Sequence, residues 1–193
     1  MILDDMRIDV IEEFLRDFSS KATGSSIAKK KKLNQKSVSN ILNELEKESI
    51  LKSEIQGRNK LYSLNMDNKD SVKKFLASVE NLREIRFYKK YPLIKEISSK
   101  IAGHIKGSAA IFGSYDKNLA KKGSDLDILV VGKADEREMD KISEIYRIVI
   151  NIKAYSSLLR MDALIKEVMG SHIAIKGAED FIFQLMEIKH GKD

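Results

Sequence analysis

The stretch Gly107-Ser108-Ala109-Ala110-Ile111-Phe112-Gly113-Ser114-Tyr115-Asp116-Lys117-Asn118-Leu119-Ala120-Lys121-Lys122-Gly123-Ser124-Asp125-Leu126-Asp127-Ile128-Leu129-Val130-Val131 decides how the rest of the chain reads. A short apolar run ends at Gly113-Ser114, a polar turn or short helix follows, and a second apolar run opens with Asp125-Leu126-Asp127. Side chains alternate along a strand, so Asp125 and Asp127 point to the same face. Two carboxylates that close repel one another unless a cation lies between them, and hard divalent cations take oxygen ligands of this kind. Gly113 lets the backbone approach a bound group closely, and the amides and hydroxyl around Ser114 can cradle phosphate. A Gly-Ser pair and an Asp-x-Asp triplet are each common by chance, but not at this spacing between two apolar strands.

The arrangement resembles the signature of the DNA polymerase β-like nucleotidyltransferase superfamily, in particular its minimal members. There a Gly-Ser pair is followed after a fixed gap by Asp-x-Asp. Ten residues, Tyr115 to Ser124, fill that gap here, and Ser124 precedes the first Asp as is common in the family. The resemblance implies that Gly113 and Ser114 bind the phosphates of ATP or another NTP. It implies that Asp125 and Asp127 are catalytic through the Mg2+ they ligate, in transfer of a nucleotidyl group to an acceptor hydroxyl. Acceptors among relatives include proteins, nucleic acids and small molecules, and the sequence selects none of them.

Two departures from the family pattern stand out. Its third carboxylate sits on the next central strand, read here as Tyr146 to Lys153. Aligning Leu158 with the leucine that follows that acid puts Asn151 in its position. An amide can offer oxygen to a metal but cannot take up a proton or add negative charge. Glu179, Asp180 and Asp162 are the acids that could substitute from elsewhere. Asn118 replaces a glycine common in the turn, a smaller change because Asn tolerates left-handed backbone. Lys117 and Lys121 lie in the same loop and read more readily as solvated than as phosphate ligands.

Working outward toward the N-terminus, Ile8, Ile11, Phe14, Leu15 and Phe18 recur at helical spacing. After a break at Ala22-Thr23-Gly24, Ser25 or Ser26 can cap a short helix running through Ala28 to Leu33. Asn34 can cap a third helix, in which Val38, Ile41, Leu42 and Leu45 share one face. The opposite face carries Gln35, Lys36, Ser37, Ser39, Asn40 and Asn43, side chains suited to base edges and phosphates. Two alternating runs around Gln56-Gly57-Arg58-Asn59 then read as a β-hairpin with Arg58 and Lys60 near its tip. Three helices and a hairpin over Arg7 to Asn65 resemble the winged helix-turn-helix family. The resemblance implies that the helix from Asn34 to Lys47 enters the major groove of double-stranded DNA and the hairpin lies along phosphates. A polar face that is merely solvated, or one that binds protein, stays open.

Composition sets the frame for both halves. The chain has 193 residues, a formal net charge of +6 and a pI near 9.3, which favours polyanionic partners. Between Lys21 and Asn43 there are six basic residues and no acidic one. The absence of cysteine excludes a disulfide framework, a thiolate nucleophile and a cysteine metal site. His104, His172 and His190 match no metal or triad spacing and read as structural or exposed. No apolar run is long enough to span a bilayer, and early Asp4, Asp5 and Asp9 do not resemble a signal peptide, so no membrane partner and a cytoplasmic location are expected.

The expected architecture is therefore α+β: a winged helix-turn-helix over residues 1–66, a helical connector over 67–106, and a small nucleotidyltransferase domain over 107–193 with a mixed sheet flanked by helices. In the connector, one long helix from Asp70 to Lys89 precedes Pro92, and Phe87, Tyr88 and Tyr91 read as anchors where two helices meet the sheet. A homodimer is expected, since winged helices commonly read paired half-sites. Three functions stay open. One is a Mg2+-dependent transferase acting on an unknown acceptor, a protein among the candidates. The second is a DNA-binding transcription regulator that senses a nucleotide, and the third an antitoxin-like component acting on a partner protein. Intact Gly113-Ser114 and Asp125/Asp127 favour the first, and Asn151 the second.

Overall fold

A computed structural model describes residues 4–117, 119–121, 123–158 and 162–190, with all their side chains except those of 162, 163, 165, 189 and 190. The chain forms two compact units that meet between Val79 and Glu80.

The N-terminal unit opens with α1 (Asp5–Leu15), whose first turn is closed by the Asp4 carboxylate accepting from the Arg7 amide at 2.8 Å. Next comes α2 (Gly24–Lys31), capped by Thr23 rather than by Ser25 or Ser26. Thr23 accepts from the Ser26 amide while the Ser26 hydroxyl is hydrogen-bonded back to Thr23, a reciprocal box that uses both hydroxyls. In α3 (Gln35–Lys47) the Asn34 side chain accepts from the amides of Lys36 and Ser37, as its position predicts. Val38, Leu42 and Leu45 are fully buried, as are Ile11, Phe14 and Leu15 of α1, and the two helices pack together. Truncating such a side chain to Ala costs about 2–5 kcal/mol. Strands β1 (Leu51–Gln56) and β2 (Asn59–Leu64) pair antiparallel around Gly57-Arg58, and a bridge between Ala22 and Tyr62 ties β2 back to the start of α2.

Helix α4 (Lys69–Lys90) crosses the boundary between the units, and α5 (Pro92–Gly103) begins at Pro92, whose fixed φ and missing N–H suit a first helical position. Strands β3 (Ile105–Phe112) and β4 (Leu126–Ala134) follow, then α6 (Glu136–Tyr146), β5 (Ile150–Tyr155), α7 (Asp162–Gly170), β6 (His172–Lys176) and α8 (Ala178–His190). The sheet is mixed, in the order β5-β4-β3-β6, with β4 and β5 parallel and the other neighbours antiparallel.

Strand β5 starts later than its sequence predicts. Tyr146 ends α6, and Arg147 takes a left-handed conformation as its cap, donating its amide to the Glu144 carbonyl. Alternate residues of the central strands, Ala109, Ile111, Leu126, Ile128 and Val130, join Ile94, Ile97 and Ile101 of α5 and Met139 and Ile142 of α6 in one buried cluster. Phe87 belongs to that cluster, and Tyr91 stacks between the rings of Phe87 and Tyr115 at centroid distances of 5.0 and 5.3 Å. The expected aromatic anchor is thus in place, and it fixes the residue just after Gly113-Ser114. Among the described residues no helix is long and apolar enough to cross a membrane.

Candidate active site

Phe112 of β3 lies opposite Asp127 of β4, and Asp127 lies opposite Asn151 of β5. Paired residues on neighbouring strands share a face, so these three form one row across the end of the sheet. Asp125 stands just ahead of β4 and is exposed, while Asp127 is half-buried. Gly113 has φ +79°, and a Cβ there would come within 2.7 Å of Asp127 Oδ2. Only glycine both adopts that backbone and leaves room for the carboxylate. The turn beyond it curls back on itself. The Gly113 carbonyl accepts from the Lys117 amide, the Ser114 carbonyl from the amides of Leu119 and Ala120, and the Ser124 hydroxyl from the Lys121 amide. Gly113, Ser114, Asp125 and Asp127 are thereby gathered at one end of the β3–β4 ladder.

Asn151 faces both acids. Its Nδ2 donates to Asp127 Oδ1 at 3.0 Å and reaches Asp125 Oδ2 at 3.5 Å, the outer limit of a hydrogen bond. Glu179 and Asp180 lie away from this row. Both are in the first turn of α8, beside Gly177, which packs on Ser108 near the opposite end of β3. About five residues of strand, roughly 17 Å, separate Ser108 from Gly113. Asn118 and the side chain of Asp162 lie outside the described residues. Of the loop lysines, Lys117 pairs with Glu167 at 2.8 Å and Lys121 is exposed.

Among the described residues no group of three or more His, Cys, Asp or Glu is placed to hold a metal ion. The two carboxylates do fit Mg2+ in the manner it usually adopts, with one or two carboxylates and substrate phosphates sharing its coordination shell, whereas Asn151 turns its Nδ2 toward them and would have to rotate to offer its oxygen. The donor set suits an ion bound jointly with a nucleotide, not an all-protein cage.

Beneath the turn lies a buried polar network that the sequence reading missed. Arg83 of α4 donates to Glu80 Oε2 at 2.5 Å and stands 3.6 Å from Asp116 Oδ1. Glu80 Oε1 also accepts the Ala174 amide of β6 at 2.7 Å, and the Ser171 hydroxyl donates to Asp116. His172 is fully buried, and burial holds its pKa below the ordinary value. Its Nδ1 lies 2.6 Å from the Val168 carbonyl, which can only accept, so Nδ1 carries the proton. The available signal was spacing: Leu76, Glu80, Arg83 and Phe87 share one helical face, so two charges interrupt an apolar stripe.

In the N-terminal unit, Gln35, Lys36 and Asn40 are exposed on α3, and Arg58 is exposed at the hairpin turn. Ser37 and Ser39 are half-buried, and Ser39 turns its hydroxyl toward Gly24 of α2. Lys60 is engaged within the fold. Its Nζ bonds Glu46 Oε2 at 2.6 Å and Asn43 Oδ1 at 3.2 Å and sits 4.9 Å from the Tyr62 ring centroid. The Lys60 and Ser53 bonds lower the Glu46 pKa, and the Glu46 bond raises that of Lys60. From the lysine run, Lys30 and Lys31 pair with Glu13 and Glu12 of α1.

The sequence profile of the family described as "Nucleotidyltransferase domain" matches residues 91–187, just over half of the chain, and the chain belongs to that family. The matched region runs from Tyr91 through α5 and the whole sheet into α8. A comparison with curated proteins finds no match. A solved structure described as "Crystal structure of the toxin-antitoxin with AMP-PNP" is 18% identical, with 50% of this chain and 87% of that chain covered and a TM-score of 0.39.

Proposed function

We propose that this protein is a DNA-binding nucleotidyltransferase. Its C-terminal unit transfers a nucleotidyl group from ATP or another NTP to an acceptor hydroxyl, and its N-terminal unit is a winged helix-turn-helix. The observation that carries the reading is the packing of Gly113 against Asp127, with Asp125 and Ser114 beside it. That arrangement joins a backbone able to approach phosphate to two carboxylates able to hold a divalent ion. Asp125 and Asp127 would hold Mg2+, which when bound supplies charge neutralisation for the phosphates and the attacking oxygen. Gly113 and the Ser114 hydroxyl orient the phosphate tail, and the Tyr115–Tyr91 stack and buried Asp116 keep that turn in place.

For DNA, Gln35, Lys36 and Asn40 present donors and acceptors on the exposed face of α3, and Arg58 offers a phosphate contact at the hairpin tip. Ser37, Ser39 and Lys60 contribute less, being half-buried or already bonded. A homodimer would present two such helices to paired half-sites. One observation favours a second reading, a regulator that senses a nucleotide without turnover. Asn151 binds both carboxylates and cannot accept the acceptor's proton.

The deciding experiment is Mg2+-dependent transfer of label from α-labelled ATP to cell lysate, nucleic acid or the protein itself, compared between wild type and Asp125→Ala/Asp127→Ala. Label that appears with wild type and vanishes in the variant supports the transferase and identifies its acceptor. ATP binding or retardation of promoter DNA without any labelled product supports the sensor.

A further inference from the structure

We infer that Lys153 is a phosphate contact of the nucleotide site, supplying the positive charge that a third carboxylate would otherwise recruit as a second divalent ion. The inference rests on the nucleotide-binding reading above and deepens it. Lys153 lies two residues beyond Asn151 on β5, so the two share a sheet face with Asp127. Its backbone is paired with Leu129 of β4, yet its Nζ lies 5.8 Å from the centroid of the Phe112 ring on β3. Neighbouring strands are about 4.8 Å apart, so the side chain crosses β4 to reach that ring, on the face that carries the carboxylate row. Phe112 is the residue before Gly113 and the direct partner of Asp127. The ammonium therefore lies against the ring of the residue that leads into the glycine turn and pairs with Asp127.

The ring holds the ammonium by a cation–π contact, which leaves its N–H donors to oxygen ligands. Among the described residues no carboxylate pairs with Lys153, whereas Lys60 and Lys117 each have one. Charge arithmetic gives the pairing with Asn151 its meaning. Three carboxylates with two divalent ions leave a surplus of one positive charge. Asp125 and Asp127 with one divalent ion and Lys153 leave the same surplus. Replacing the third acid with Asn151 removes a ligand that a second ion would need, and Lys153 restores the charge that the triphosphate tail sees.

The test uses the full chain and a non-hydrolysable ATP analogue, with affinity measured by calorimetry in Mg2+ and bound Mn2+ counted by electron paramagnetic resonance. The inference expects one Mn2+ per wild-type complex. Lys153→Met should weaken analogue binding about tenfold at unchanged melting temperature, the loss expected of one charge-assisted contact. Lys153→Arg should retain most of the affinity, and Asn151→Asp/Lys153→Met should take up a second Mn2+. Two ions in the wild-type complex would overturn the assignment, as would wild-type affinity in Lys153→Met. Equal losses in Met and Arg variants with a lowered melting temperature would mark the lysine as structural and overturn it too. No analogue binding by wild type would defeat the nucleotide-site reading itself, and the inference with it.

Discussion

The C-terminal unit holds two pairs of carboxylates, and the chain treats them in opposite ways. Glu80 and Asp116 are buried, with Arg83 between them and the Ala174 amide and Ser171 hydroxyl completing their bonds. Asp125 is exposed and Asp127 half-buried, and the group they share is a neutral amide, Asn151. Burying a carboxylate is costly unless a cation and hydrogen bonds accompany it, so the first pair is a structural device in which one shared cation and neutral donors satisfy both carboxylates. In the second pair the chain brings like charges to one face without matching them, at the cost of mutual repulsion. That cost makes sense where the counter-charge arrives with a ligand.

The largest expected effect tests the second pair. Asp127→Asn should lower label transfer at least about a thousandfold, since several kcal/mol of transition-state charge stabilisation are lost. Its melting temperature should stay close to wild type; a large drop would show that Asp127 is structural like Asp116 and erase the contrast. Arg83→Met should do the reverse, destabilising the unit by about 3–5 kcal/mol because two buried carboxylates lose their cation. Chemical denaturation would read this directly, and a neutral result would mean the network is not paired as described. Gly113→Ala comes next. A left-handed residue with a Cβ costs about 1–2 kcal/mol, and the 2.7 Å approach to Asp127 Oδ2 would push that carboxylate aside. Mg2+-dependent nucleotide affinity should fall more than stability does.

The contrast also explains which parts of the molecule could be read from sequence. The gathering of Asp125 and Asp127 beside Gly113-Ser114 was legible because its signal is local: alternation in one strand and a fixed gap between the two motifs. The third helix of the N-terminal unit was legible too, since Asn34 and the spacing of Val38, Ile41, Leu42 and Leu45 agree. Glu80 and Arg83 were not, because their partners Asp116 and Ala174 lie far along the chain and become visible only once β3 and β6 pair. The start of β5 was missed for another reason. Ile148, Val149 and Ile150 form an apolar run that fits the end of a helix or the start of a strand, and the left-handed Arg147 has no glycine to announce it. At the start of α2 the cap is Thr23 and not the expected Ser25 or Ser26, because hydroxyls at all three positions can cap and only the backbone geometry distinguishes them.

His172 gives a smaller effect with a definite sign. Burial, opposed by nearby Glu80 and Asp116 and reinforced by Arg83, holds its folded pKa below the ordinary value of about 6.5. The folded state thus refuses a proton that the unfolded chain accepts. The contribution of His172 to stability should be flat above about pH 6.5 and fall as the pH drops below it, by up to about 1.4 kcal/mol per pH unit. His172→Gln should flatten that slope between about pH 6.5 and 5 in denaturation curves. An unchanged slope would place the titration elsewhere in the network.

The smallest effect carries the same distinction into the N-terminal unit. Arg58 is exposed at the hairpin tip, whereas Lys60 is bonded to Glu46 and Asn43 and sits against Tyr62. A cation whose charge the fold already matches releases few counterions when DNA binds, while an unmatched one contributes fully to the salt dependence. Arg58→Ala should therefore lower the slope of log affinity against log salt by about one for double-stranded DNA. Lys60→Ala should change it less, and Glu46→Gln should steepen it by freeing Lys60. Equal slopes for Arg58→Ala and wild type would show that the hairpin tip does not meet phosphate. The exposed face of α3 would then have to hold DNA without the hairpin, or serve another partner.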